Sequence, residues 1–247
     1  MTVLVGTTLT TFAMDDPDTW GSWIRNAEAI RAAVPDERVE FFAAIQTDRR
    51  GLGYFQPLLD RLTELAVQDA GGIEWWDYRL DDGRTTVTTA NRLLHLTMGQ
   101  NLVSFRAMSD PAVSHLLFMA ADCQAPDDVL AELLPMHHDY VAPYVPTYGL
   151  RGEPVPWSVR TGDVYRTVPC ERAMPSAAAV LLSRRVFSRL KWRFDLDEGL
   201  SDDPALLRDA ADLLGVSPLV RMDVVARHFP ESIGPVETRG HDMTVVR

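Results

Sequence analysis

Apolar and polar positions along this chain switch repeatedly between a strand period and a helix period. "TVLVGTTL" (2–9) is a short, β-branched apolar run that reads as a buried strand, and "WGSWIRNAEAIRAAV" (20–34) then places its apolar residues at helical spacing. Asp16 or Asp18, just before, is positioned to cap that helix. "RVEFFAAIQT" (38–47) is a second strand, and "YFQPLLDRLTELAVQDA" (54–70) a second helix with Leu58, Leu62 and Leu65 along one face. "GGIEWWDYR" (71–79) gives a third strand, and 88–110 a third helix with a possible break near Gly99. "HLLFMAA" (115–121) is the fourth strand, and "PDDVLAELLPM" (126–136) opens a helix with proline and two acids.

Four strand–helix alternations predict an α/β fold. Parallel strands need crossovers, so the sheet is Rossmann-type and mostly parallel, with helices on both faces. From "DYVAPYVPTYG" (139–149) the rhythm breaks, and residues 150–175, rich in Pro, Gly and Arg, read as loops with antiparallel strand pieces. Order resumes with a strand leading into a helix over 176–190. A strongly marked helix follows over 201–215, with Ser201 as cap, acids in its first turn and Gly215 at its end. The tail from Pro230 has weak pattern and reads as an arm or a partner-binding segment.

Composition changes this picture little: 46% of the 247 residues are hydrophobic and 24% charged, as in ordinary globular proteins. The net charge of −11 argues against broad electrostatic capture of nucleic acid or anionic membrane, because such a surface repels phosphate. Cys123 and Cys170 match no metal or redox spacing and read as reduced, packed thiols. No apolar run approaches the roughly 20 residues that span a bilayer, and the first residues lack a basic n-region, so a cytoplasmic protein without a membrane span is expected.

The candidate chemistry starts at Asp122, an acid that closes an apolar strand just before Pro126. Ligands of open α/β sheets bind beyond the carboxyl ends of the strands, and a carboxylate there can hold a divalent cation against a diphosphate. A cap for the helix near Pro126 is the plain alternative. At the first two strand ends, Thr7, Thr8, Gln46 and Asp48 are candidates for contacts to a nucleotide's base or ribose, with turn formation as the alternative for each.

The segment "GQNLVSFRAMSDPAVSHLLFMAADCQAPDDVLAELL" resembles the centre of the GT-A-fold, family-2-like glycosyltransferases. There a helix carrying a polar pair precedes a buried strand ending in Asp-x-Asp, followed by proline and an amphipathic helix. Here the pair is Gln100-Asn101 and the acidic motif reads Ala120-Ala121-Asp122, with its first acid replaced. "PSAAAVLLSRRVFSRL" is similar to the strand and helix after the acceptor loop, "GLSDDPALLRDAADLLG" to the segment bearing the catalytic base, and "VVARHFPE" to a later strand whose histidine completes a metal site.

The resemblance implies one GT-A-like domain over 1–247: a nucleotide-binding half (1–135), an acceptor-side half (136–230) and a tail (231–247). It implies Mn²⁺ or Mg²⁺ held by Asp122 and His228, with mixed O and N ligation suiting Mn²⁺ somewhat better. It also implies a UDP- or GDP-linked sugar as donor, with Asn101, Ala120 and Ala121 beside the nucleotide, and Asp203, then Asp202, as base for an acceptor hydroxyl. The base assignment assumes inversion, and the acceptor is open: a glycan, a protein, a lipid-linked sugar, a small metabolite or a modified nucleobase. Ala120 motivates an alternative, an inactive GT-A-like module that binds nucleotide or glycan. A nucleotidyltransferase ranks lower, because no glycine-rich basic loop follows the first strand. His137 and His138 read as surface or structural residues, and Trp157 as a better sugar-stacking candidate than Trp75 or Trp76.

Overall fold

A computed structural model of the chain describes residues 1–9, 17–47, 56–57, 60, 73–79, 89–121, 123–145, 157–161, 164–168, 178–195, 197 and 202–228. The chain begins with strand β1 (Thr2–Leu9), helix α1 (Pro17–Ala32), strands β2 (Arg38–Thr47) and β3 (Ile73–Arg79), and helix α2 (Thr89–Ser109). Strands β4 (Val113–Met119) and β5 (Cys123–Gln124) precede helix α3 (Val129–Leu133), a 3₁₀ turn (Leu134–Met136) and strand β6 (Tyr140–Tyr144). Then come β7 (Trp157–Thr161), β8 (Val164–Val168), β9 (Ala179–Ser183), α4 (Arg184–Phe187), α5 (Asp202–Leu214), β10 (Leu219–Val225) and β11 (Arg227–His228).

Seven strands form one open sheet in the order β10-β6-β9-β4-β1-β2-β3, in which β9 alone runs antiparallel to its neighbours. This is the mostly parallel α/β sheet that the alternating periods predict. Both faces are covered, which is why all eight residues of β1 are buried. Val3, Val5 and Leu9 enter a core with Trp23, Ile30 and Leu130 beneath α1 and α3, whereas Leu4 joins Phe42, Val103, Phe118 and Leu206 beneath α2 and α5.

Several boundaries differ from expectation for definable reasons. The helix expected over 126–136 is α for five residues only and tightens to 3₁₀ where Pro135 lacks the N–H needed to continue it; His137 then takes the left-handed conformation, φ 47°. Helix α2 runs unbroken through Gly99. The sequence rhythm breaks at β6, yet this strand is a central member of the sheet and pairs with both β9 and β10. The irregular stretch carries the expected antiparallel pieces as the hairpin β7–β8. The helix expected over 54–70 and the tail from Pro230 fall largely outside the described residues.

No helix among the described residues is long and apolar enough to cross a membrane.

Candidate functional site

Beyond Met119 the chain leaves β4 in a tight turn. Ala120 N donates to Ala178 O (2.8 Å), and Cys123 N returns to Ala120 O (3.0 Å). Residues 123–124 then form an antiparallel ladder with β11, in which Cys123 stands opposite His228 and Gln124 opposite Arg227. Position 228 therefore lies on the rung beside the immediate neighbour of Asp122. Asp122 itself lies outside the described residues, and His228 is described by its backbone.

This small ladder is braced from α1. Asn26, 3% exposed, donates Nδ2–H to Ala125 O (2.8 Å) and accepts the Ala125 N–H at Oδ1 (2.9 Å), so one buried amide satisfies both backbone groups of a loop residue. Ala121, Cys123, Ala125, Val224 and Ala226 pack into the core below. On the β10 side, Ala226 N donates to Tyr144 O (2.9 Å). Replacing Asn26 with alanine orphans both Ala125 groups and is expected to destabilise the chain by about 2–4 kcal/mol, two buried hydrogen bonds at the usual penalty. Urea unfolding at constant m-value checks this.

The acid pair stands on the other face of the sheet, at the first turn of α5. Helix α2 leads from the carboxyl end of β3 down to the amino end of β4, and its Val103 lies against Gly6 of β1. One turn higher, Gln100 (2% exposed) donates Nε2–H to Asp202 Oδ2 at 2.7 Å. At its other end α5 is tied by Arg185, which donates to Leu214 O (2.7 Å) and to Asp139 (2.6 Å) just before β6. Helix α5 thus points its N-terminus toward the end of the sheet where β1 and β4 finish. Asp202 is buried; Asp203 is half-buried. The phenol of Tyr140, fully buried below them, is held well above its usual pKa by burial first and then by the negative charges of Asp203 and Asp202.

Asn101, expected beside the nucleotide, is engaged elsewhere. Its Nδ2 donates to Thr97 O and Trp192 O (both 2.8 Å), and its Oδ1 accepts the Trp192 N–H (3.0 Å). Trp192 Nε1 donates to Ser104 Oγ (3.1 Å), and its ring packs on Phe118 with centroids 5.2 Å apart. Gln100, Asn101 and Ser104 lie at helical spacing on α2 and fasten Trp192 and Asp202 to the first half of the chain. The resemblance implied only Asn101 of the Gln100-Asn101 pair as a contact to the nucleotide. Polar residues on the inner face of a helix fit a clamp equally well.

Thr7 and Thr8 are buried near the end of β1, and Thr7 Oγ1 finds no hydrogen-bond partner among the described residues. Gln46 is half-buried near the end of β2, while Asp48 lies outside the described residues. Ala120 is half-buried at the turn and Ala121 packs inward. Cys123 is a buried thiol. His138 Nδ1 sits 3.1 Å from Tyr140 O, and His137 is exposed, in keeping with structural or surface roles. Asn26 escaped the sequence reading; its one signal is a polar residue among the apolar positions of an amphipathic helix.

A carboxylate and an imidazole are O and N donors of the kind a divalent cation accepts, and in the β5–β11 ladder Cys123, the residue after Asp122, stands opposite His228. Among the described residues, no three or more His, Cys, Asp or Glu side chains cluster in a way that could hold a metal ion. Phosphate oxygens and water would complete such a site.

No protein-family model matches the chain, and no curated protein does. Solved structures similar to it include a 4-diphosphocytidyl-2C-methyl-D-erythritol synthase, at 11% identity over 89% of this chain and 88% of that one, with a TM-score of 0.48. The inositol-1-phosphate CTP transferase from T. maritima gives 11%, 93% and 90%, with 0.44. Galactosyltransferase LgtC with donor and acceptor sugar analogues gives 13%, 99% and 91%, with 0.46. Within the chain itself, a buried strand, a turn at 120–122, Pro126 and a helix are followed by β9–α4, α5 and β10–β11, in the order the sequence resemblance implies. The fold is an open, mostly parallel α/β sheet. In this sheet the ladder bearing position 228 packs with the α1-side core and the acid pair with the α2-side core, both toward the carboxyl ends of β1 and β4.

Proposed function

We propose that the chain is a metal-dependent glycosyltransferase that moves a sugar from a UDP- or GDP-linked donor to an acceptor hydroxyl. The observation that carries this reading is the pairing of Cys123 with His228, which joins chain positions more than a hundred residues apart beside Asp122. Asp122 and His228 would hold Mn²⁺ or Mg²⁺, which when bound neutralises charge developing on the departing diphosphate. Thr7, Thr8, Gln46 and Asp48 would contact base and ribose, and the backbone of Ala120 and Ala121 would border the phosphates. Asp203, half-buried in the first turn of α5, takes the proton of the attacking hydroxyl. Asp202 is the second candidate for that base. Ala120, in place of an acid, leaves the donor sugar less tightly specified and supports a second reading, a module that binds nucleotide without transfer.

Thermal unfolding with UDP or GDP, with and without Mn²⁺, tests both readings. At a hundred times the dissociation constant, ligand linkage adds about 2.7 kcal/mol, which raises the melting temperature of a chain this size by about 5–10 °C. The enzyme reading expects the larger shift with Mn²⁺, its loss in Asp122→Asn, and slow hydrolysis of one nucleotide sugar. A shift indifferent to Mn²⁺, without turnover, selects the binding module, and no shift with any nucleotide defeats both.

A further inference from the structure

We infer that Gln100 is a positioning residue that sets the first turn of α5, so that Asp202 serves as its anchor and Asp203 as the working acid; this rests on the transferase reading above. The acids are adjacent and chemically alike, but their surroundings separate them. Asp202 is 7% exposed and its Oδ2 accepts a 2.7 Å hydrogen bond from Gln100 Nε2, across 102 residues of chain. An amide donor this deeply buried fixes the side chain it holds, because breaking the contact strands the amide away from water. Asp203 follows by one residue on the same helical turn and retains access to solvent. Fixing Asp202 therefore fixes the direction in which Asp203 points.

The rest of the environment fits an anchor. Gln100 Oε1 and Tyr140 Oη, both buried, have no hydrogen-bond partner among the described residues, so the Asp202 contact is the polar tie shown for the Gln100 side chain. Tyr140 of β6 lies within electrostatic reach of Asp203 and Asp202, and burial first and then their charges hold its phenol well above the usual pKa. Asn101, the next residue of α2, holds the backbone of Trp192, so adjacent residues of α2 hold Trp192 and Asp202.

The test compares Gln100→Leu, Asp202→Asn and Asp203→Asn in the full chain, with two readouts. Amide hydrogen exchange at Leu206 and Leu207, whose N–H groups close the first turn of α5 onto residues 202 and 203, needs no substrate: Gln100→Leu should speed it at least tenfold, while Asp202→Asn, which keeps an oxygen to accept from Gln100, should change it less than threefold. In turnover, Gln100→Leu should lower kcat more than tenfold with KM for the donor unchanged, and Asp202→Asn should cost a few-fold. Unchanged exchange in Gln100→Leu overturns the inference whatever the activity, as does an Asp202→Asn variant as inactive as Asp203→Asn. If Gln100→Leu does not fold, Gln100→Met supplies the same exchange measurement. Full activity in Asp203→Asn instead removes the base assignment and leaves the exchange result standing.

Discussion

Asp203→Asn is expected to lower kcat for sugar transfer by about a hundredfold to ten-thousandfold, the usual contribution of a positioned general base. Nucleotide affinity should hold, because the residue sits on the α2 side of the sheet, while the nucleotide candidates lie at the ends of β1 and β2. Stability should hold as well. Removing one negative charge from the first turn of a helix costs about 0.3–1 kcal/mol, or about 1–4 °C in a chain of this size, so a large loss of turnover cannot be charged to unfolding. Steady-state kinetics, product-nucleotide binding and a melting curve on one preparation separate these effects. Transfer at the wild-type rate would place the base on another residue.

The acid pair also shows where sequence reading stops. The helix 202–214 was plain from its apolar period and acidic first turn, and so were β1, β2 and β4, because strands buried on both faces read as uninterrupted apolar runs. Strand β6 was hidden: it is five residues long, contains Pro143 and lies in a stretch rich in proline and tyrosine, yet it occupies an interior position because β9 turns back antiparallel. The two-residue strands β5 and β11 carry no period at all. Their pairing follows from where β4 and β10 end, which is information about the sheet and not about either segment. The resemblance implied positions 122 and 228 as partners, and the topology pairs Cys123 with His228. Pattern also missed which partner a buried polar side chain takes: Asn26, Gln100 and Asn101 each hold backbone or side chain across more than ninety residues of chain.

Gly6→Ala is expected to lose both stability and activity through one contact. Gly215 is the described glycine with positive φ, at 63°, so Gly6 is required for space and not for an unusual backbone. A methyl group built on Gly6 would fall inside the contact distance of Val103 Cγ1, with Leu116 Cδ1 at 3.5 Å closing the other side. Valine is stiff about χ1 and cannot swing clear, so α2 must shift outward. Overpacking of this kind costs about 1–3 kcal/mol, a fall of about 2–12 °C in the melting temperature. Val103→Ala removes the clashing methyls, so the double variant should be more stable than the sum of the two single changes allows; strict additivity would show that the helix does not rest on β1 here. The consequence reaches the chemistry because Gln100 lies one turn from Val103 on the same helix. An outward shift of α2 draws Gln100 from Asp202 and loosens the turn that carries Asp203, so Gly6→Ala should lower kcat and Gly6→Ala with Val103→Ala should restore most of it. Recovery of stability without recovery of kcat would uncouple the helix packing from the acid pair.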